Sequence, residues 1–279
     1  MNDVGSCLKR GAARLAAAGK ENPWREARLL LAHATGHSEA VLIGYPERAV
    51  ETGDAYNVLI DRRAAHEPMS HILGRREFWS LDFEVTRDTL DPRPDSETII
   101  EAALERFEDC TQVLRILDLG TGTGCLLAAL LIEYSASWGI GVERSLATAM
   151  VAQRNIAALK LSDRGRILIA DWAISLNGQF DLIVSNPPYI PTAEIARLQP
   201  EVAKFEPLMA LDGGADGFAA YRRLMSEIPQ ILACEGIAII EFGAGQCGAV
   251  ADIGKENGLV VRDTRADLAG RPRSLVFGQ

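Results

Sequence analysis

Val113-Leu114-Arg115-Ile116-Leu117-Asp118-Leu119-Gly120-Thr121-Gly122-Thr123-Gly124 begins as an apolar run and closes as a glycine loop. Val113 to Asp118 has the composition of a short strand buried on both faces. Cys125 to Tyr134 then reads as an apolar helix. Between them, three glycines at alternate positions let the backbone turn sharply and approach a ligand closely. The spacing is not the G-x-G-x-x-G of dinucleotide binders, and no Lys follows as in a phosphate-binding P-loop. Asp118 ahead of the loop would repel a pyrophosphate and suits a cationic or zwitterionic ligand. Taken alone, the loop also reads as a structural turn.

Downstream, strand and helix alternate. Strands are predicted at Trp138 to Glu143, Arg166 to Ala170, Phe180 to Ser185, Gly236 to Glu241, Val260 to Thr264 and Ser274 to Phe277. Helices are predicted at Leu146 to Leu159, Phe218 to Leu232 and Gly248 to Asn257. This is an α/β pattern: a mainly parallel sheet covered on both faces, with one antiparallel strand implied by the short final connection. In open α/β sheets, ligands bind at the carboxyl ends of the strands. Glu143 ends the second strand, where a carboxylate can accept both ribose hydroxyls of a nucleoside. Asp171-Trp172 ends the third, an acid and an aromatic suited to an adenine amine and ring. A surface carboxylate and a core tryptophan are the structural alternatives for these residues.

The fourth strand runs into Asn186-Pro187-Pro188-Tyr189. Two prolines stiffen the backbone and remove two amide donors, leaving carbonyls free to face a site. The Asn186 side-chain oxygen and the Pro187 carbonyl can together accept both hydrogens of one NH2 group, and Tyr189 offers a flat face for a planar substrate. An amide nitrogen is a poor nucleophile because its lone pair is delocalised. Two acceptors on its hydrogens turn that lone pair toward an electrophile, and alignment with a sulfonium methyl supplies much of the rate. The residues therefore point to methyl transfer from S-adenosylmethionine to a planar amide or amino nitrogen.

Ahead of this region, the pattern to about Leu73 is helical. Ala12, Leu15 and Ala16 mark one apolar face; Pro23 restarts the run; Ala27, Leu30, Leu31 and Ala34 mark the next, closing at Gly36. Val58, Leu59, Arg62 and Arg63 suggest a third helix before Pro68, and no strand signal intervenes. Phe78 to Val85 has a period near two, predicting a short hairpin or extended connector. Pro92 and Pro94 stiffen the next stretch, and a helix is expected from Ser96 to about Phe107.

The bulk properties exclude several classes. With 279 residues and 48% apolar content, the chain can bury a sizeable core. A net charge of -9 argues against affinity resting on a phosphate backbone. The start lacks the cationic-then-apolar pattern of a secretory signal, and no apolar run approaches a membrane span. The five cysteines are scattered, as expected of reduced thiols in a cytoplasmic protein. His33 and His37 are spaced one helical turn apart, but no sulfur flanks them and no acid shares their face. Packing or surface roles are therefore expected, and no metal.

Together these residues resemble the release-factor glutamine methyltransferase family, the HemK-type protein-(glutamine-N5) methyltransferases. The similarity is carried by Glu67-Pro68 with His71 and Gly74, Glu77-Phe78-Trp79, Pro92-Arg93-Pro94-Asp95-Ser96-Glu97, the Asp118 to Gly124 loop, and Ser185 to Ile190. Phe205-Glu206-Pro207 with Ala210-Leu211, Gly213 to Gly217, and Glu241-Phe242-Gly243 with Gln246 complete it. The Asn-Pro-Pro-Tyr turn is shared with nucleic-acid amino-methyltransferases; the Pro-Arg-Pro-Asp and Phe-Glu-Pro pieces are more selective. The resemblance implies an all-helical substrate-recognition domain over 1–75, a hairpin linker over 76–91, and a Rossmann-like class I methyltransferase domain over 92–279. It implies S-adenosylmethionine at Gly120, Thr121, Gly122, Thr123, Gly124, Glu143, Trp172 and Asn186. Catalysis and substrate binding fall to Asn186, Pro187, Pro188 and Tyr189. The implied substrate is the glutamine of a Gly-Gly-Gln loop in peptide-chain release factors. A monomer is expected, without a membrane or nucleic-acid partner. Three positions depart from the family. Asp91 stands where an apolar residue is usual, Ser96 replaces Thr, and Glu143 replaces a common Asp. Arg93 reads equally as a group closing over the cofactor or as a bridge between domains.

Other readings are a methyltransferase acting on a ribosomal-protein glutamine, one acting on a nucleic-acid amino group, and a binding module that has lost catalysis. The nucleic-acid reading calls for a basic surface and usually a target-recognition insertion, and the chain shows neither. A ribosomal-protein substrate would use the same catalytic residues.

Overall fold

The computed structural model describes residues 2–174, 176–267 and 269–279. It divides into two compact units. One comprises Met1–Gly74 with Gln199–Phe205; the other comprises Arg75–Leu198 with Glu206–Gln279.

In the first unit, helices Val4–Ala17, Pro23–Thr35, Glu39–Gly44, Ala55–Ala64 and Met69–Leu73 surround Leu15, Leu30, Leu31, Leu42, Tyr56 and Ile60. Local chemistry sets the ends. The Asp3 carboxylate accepts from the Ser6 N–H at 2.7 Å, capping the first helix. Pro23 occupies the first turn of the second, and Gly36 closes it in the left-handed conformation at φ 70°. That end corrects the helical spacing read for the two histidines: His33 lies in the helix and His37 beyond its cap. The unit is not purely helical either, since Asn2–Asp3 pairs antiparallel with Ala49–Val50. Two residues per strand are too few to show a period in the sequence. Gln199–Phe205 brings Glu201 to two buried cations. Its carboxylate lies 2.9 Å from Lys20 Nζ and 2.8 Å from Arg63, which also pairs bidentately with Glu26.

The second unit opens with a hairpin, Arg75–Phe78 against Leu81–Glu84. Trp79 and Ser80 both take positive φ, 53° and 58°, the conformation of a tight two-residue turn more often made by Asn-Gly. Side chains hold it there. Glu97 accepts from the Trp79 N–H, Glu77 from the Ser80 N–H, and Glu133 from the indole.

The large sheet has seven strands: β1 (Arg115–Leu119), β2 (Trp138–Glu143), β3 (Gly165–Ile169), β4 (Phe180–Ser185), β5 (Leu232–Glu241), β6 (Val260–Ala266) and β7 (Pro272–Gly278). Their order is β6-β7-β5-β4-β1-β2-β3. β7 runs antiparallel to both neighbours and the other pairs are parallel. Alternate residues feed two cores, because successive side chains leave opposite faces of a strand. Ile116, Leu182, Val184, Ile237 and Ile239 pack with helices Glu97–Arg106 and Cys125–Glu133. Leu117, Leu119, Ile183, Ala238 and Ile240 pack with helices Ala219–Ile231 and Cys247–Glu256. Double-sided burial is why these strands read as unbroken apolar runs. Among the described residues, no helix is long and apolar enough to cross a membrane.

Candidate active site

The carboxyl ends of β1, β2 and β4 converge on a cavity of about 320 Å³. Its wall includes Gly120 to Thr123, Glu143, Asp171, Trp172, Asn186 and Pro188. Other parts come from Asp91, Arg93 and Ser96 on one side and Pro207, Met209 and Ala210 on another. Most of the anticipated site residues thus share one space. Gly124, Pro187 and Tyr189 are not in its wall; Gly124 caps helix Cys125–Glu133 at φ 80°, and Pro187 is buried.

The glycine loop is fastened from both ends. The Gly120 and Thr121 N–H groups donate to the Val142 carbonyl at 3.0 and 2.9 Å. Asp118 works beneath the loop and not in the cavity wall. It is fully buried and accepts from the Thr121 hydroxyl at 2.6 Å and the Leu127 N–H at 3.3 Å. Burial pushes its carboxyl up to about 7, against the effect of those two bonds. Asp118 therefore stands beneath the loop and holds the turn. Gly120 has φ 74°, and a Cβ there would lie 3.4 Å from the Trp172 ring. Trp172 is thereby placed over the loop.

Glu143 has both oxygens engaged by backbone donors, Gly122 N–H at 3.2 Å and Ser145 N–H at 2.9 Å. Each oxygen keeps a further lone pair. Beside it, Asn155 joins the hairpin to the loop. Its amide accepts from the Glu84 N–H and donates to the Glu84 and Thr123 carbonyls at 2.7, 3.1 and 2.9 Å.

The Asn186 turn is anchored at three points. Ser185 donates to the Leu119 carbonyl at 2.6 Å, tying the ends of β4 and β1 together. Gln246 donates to the Tyr189 carbonyl at 3.0 Å, while its oxygen accepts from the Gly243 N–H at 2.9 Å. The Tyr189 backbone then passes so close to Gly213 and Gly217 that a Cβ at either would meet it at 2.8 or 2.6 Å. The Tyr189 ring lies against Gly243. On the far side, Asn186 Nδ2 donates to Ser96 Oγ at 2.9 Å, and Ser96 donates to the Glu241 carboxylate. Arg93 pairs with Glu206, a partner within its own unit. Burial pushes Glu206 up to about 7; Arg93 opposes this and Asp91 adds to it.

Sequence reasoning missed the parts played by Asn155, Glu206, Glu241 and Gln246. For Glu241, one signal was available: a carboxylate closing an otherwise apolar strand at the ligand-binding end of the sheet. Asn155 had no such signal, because it is a polar residue inside an ordinary amphipathic helix. Among the described residues, no group of His, Cys, Asp and Glu could hold a metal ion.

A parallel sheet with one antiparallel strand, a glycine loop after β1, a carboxylate at the end of β2 and an Asn-Pro-Pro-Tyr turn after β4 define a class I methyltransferase. Comparison with known proteins agrees. Residues 6–74 match the PrmC N-terminal domain, and residues 98–199 match the methyltransferase small domain. The release factor glutamine methyltransferase of Rhodospirillum rubrum is 47% identical over 98% of this chain and 84% of its own length. That of Bradyrhizobium diazoefficiens is 44% identical over 95% of this chain and 91% of its own. A methyltransferase structure from Pyrococcus furiosus, 18% identical, covers 81% of this chain and all of its own with a TM-score of 0.52, a likeness of fold. The chain belongs to the family of release factor glutamine methyltransferases and is a methyltransferase enzyme.

Proposed function

We propose that the chain transfers a methyl group from S-adenosylmethionine to the side-chain amide nitrogen N5 of the glutamine in the Gly-Gly-Gln loop of a peptide-chain release factor. The observation that carries this reading is that Asn186 and Pro188 line the same cavity as Gly120 to Thr123, Glu143 and Trp172. Relatives named for the reaction on release factors support the choice of substrate. The five cysteines are free thiols, which fits the reducing cytoplasm expected for such an enzyme.

The residues present fit the cofactor. Glu143 keeps acceptor lone pairs for two vicinal hydroxyls, the half-buried Trp172 ring offers an adenine stacking face, and the glycines leave room for close backbone approach. S-adenosylmethionine supplies a methyl carbon on a positively charged sulfur that departs as a neutral thioether. The chain supplies alignment. Asn186 Oδ1 and the Pro187 carbonyl take the two hydrogens of the glutamine NH2. This holds the nitrogen lone pair toward the methyl carbon and stabilises positive charge as it forms on nitrogen. Pro187 and Pro188 present no N–H to compete for those carbonyls. After transfer, the nitrogen releases one proton to water, so no strong base is required.

The test is Asn186→Ala. Its calorimetric affinity for S-adenosylmethionine is expected to stay within a few-fold of the parent. Transfer to purified release factor falls by at least about 100-fold, the effect of removing one preorganised polar group at a developing charge. Full activity in this variant would remove the mechanism.

A further inference from the structure

The Asn186 amide has two orientations of nearly equal shape, and only one presents an acceptor to the substrate. What selects it lies outside the Asn-Pro-Pro-Tyr turn. Ser96 is 3% exposed and Glu241 2%, so water does not compete for either. The Ser96 hydroxyl has one proton, and it is donated to Glu241 Oε2. Its oxygen is left only lone pairs, so the Asn186 atom 2.9 Å away must be the NH2. The Asn186 oxygen then remains free as an acceptor. We infer that Ser96 and Glu241 are positioning residues for methyl transfer, a buried two-step relay that fixes the Asn186 amide with its oxygen available to the substrate NH2. The inference rests on the proposed reaction and adds to it a condition on Glu241, which must be ionised.

The surroundings of Glu241 make that condition reachable near neutrality. Burial pushes its carboxyl up to about 7, the Ser96 bond opposes the shift, and Asp95 adds to it. Arg273 on β7 and Arg93 ahead of the Ser96 turn pull the other way. Tyr189 and Tyr221 are the remaining titratable neighbours; burial raises both, and both stay neutral at physiological pH. A protonated Glu241 gains a donor of its own and is a weaker acceptor, so it no longer compels Ser96 to donate to it. Ser96 is then free to direct its own proton at Asn186, and the amide turns over, placing NH2 against NH2. The relay therefore works above about pH 7 and fails as the pH falls through that value.

The experiment compares the parent with Ser96→Ala, Ser96→Thr and Glu241→Gln. It uses calorimetry with S-adenosylmethionine and steady-state transfer to release factor from about pH 6 to about pH 9, spanning the ordinary carboxylate-to-amine gap. Ser96→Ala and Glu241→Gln are expected to bind S-adenosylmethionine within about threefold of the parent while losing about 10- to 100-fold in kcat, with little change in KM. Ser96→Thr keeps the hydroxyl and is expected to stay within about threefold of the parent. The parent loses kcat as the pH falls below about 7; in Glu241→Gln that acid limb is smaller, reduced to what Asp118 and Glu206, both also raised to about 7 by burial, contribute. A parent kcat in Ser96→Ala, or an acid limb unchanged in Glu241→Gln, overturns the relay. So does a loss in Ser96→Ala that Thr fails to rescue and that is matched by loss of cofactor affinity, which would mark a packing role. Failure of the functional reading has a different signature: the parent itself gives no transfer to release factor.

Discussion

Gly120 is required by its backbone conformation. Its φ of 74° is costly for any residue with a Cβ, and the Trp172 ring stands 3.4 Å from where that Cβ would go. Gly120→Ala is expected to destabilise the protein by about 1 kcal/mol through the backbone alone. It should also weaken S-adenosylmethionine, because the strained turn forms part of the cavity wall; thermal melts and calorimetry read the two effects. Glu143 acts at the neighbouring strand end. Glu143→Ala removes a carboxylate placed for two hydroxyls and is expected to weaken cofactor binding about 10- to 100-fold, while kcat at saturating cofactor changes far less. A loss of kcat with unchanged affinity would put Glu143 in the reaction and not in binding. At this scale the sequence was legible where chemistry is concentrated in contiguous residues, as in Asp118 to Gly124 and Asn186 to Tyr189. It left open where Asp118 lies, which is beneath the loop and outside the cavity wall. It was silent on the Asn186–Ser96–Glu241 chain, whose members are 90 and 145 residues apart. Hydrogen bonds at that separation leave no local pattern.

The elements explain how such distant residues meet. β1 and β4 are neighbours in the sheet, with Asp118 opposite Val184, so the residues beyond them emerge side by side. That juxtaposition comes from the alternation of strands and helices and could be anticipated. The hairpin could also be anticipated as a period-two stretch, but its turn could not, because Trp79-Ser80 lacks the residues that usually take positive φ. Asn155 shows what the hairpin does for the site. It joins Glu84 to Thr123, and replacing it by Ala leaves the part-buried Glu84 N–H and carbonyl and the buried Thr123 carbonyl without this partner. Asn155→Ala is expected to cost about 2–3 kcal/mol, seen as a lower midpoint in denaturant. Cofactor binding should weaken as well, since the loop loses its outer tether. Loss of stability with undiminished affinity would show that the hairpin supports the fold alone.

Across the whole molecule, each unit buries charged groups that are paired within it. In the first, Lys20 and Arg63 are buried and Glu201 serves both. Burial would raise the Glu201 carboxyl, but the bonds from Lys20 and Arg63 outweigh it and hold the group below its ordinary value. A depressed carboxylate stabilises the folded state above its unfolded pKa of about 4.5 and loses that contribution as the pH falls through the folded value. Glu201→Gln is therefore expected to lower stability by about 1–2 kcal/mol at neutral pH. The difference from the parent should shrink in acid, as followed by calorimetric melts. A difference that grows in acid would contradict the assignment. None of this was visible in composition, since Gln199–Phe205 joins a unit from which it is separated by more than a hundred residues of sequence.

The proposed reaction stands on one cavity in which a methyl donor meets a glutamine amide beside Asn186 and Pro188. Incubating the protein with methyl-labelled S-adenosylmethionine and purified release factor, then mapping the label by mass spectrometry of peptides, probes that directly. The expected outcome is a single methyl on the glutamine side chain of the Gly-Gly-Gln loop, absent when that glutamine is replaced. Label on another residue, or on a nucleic acid in preference to the release factor, would contradict it.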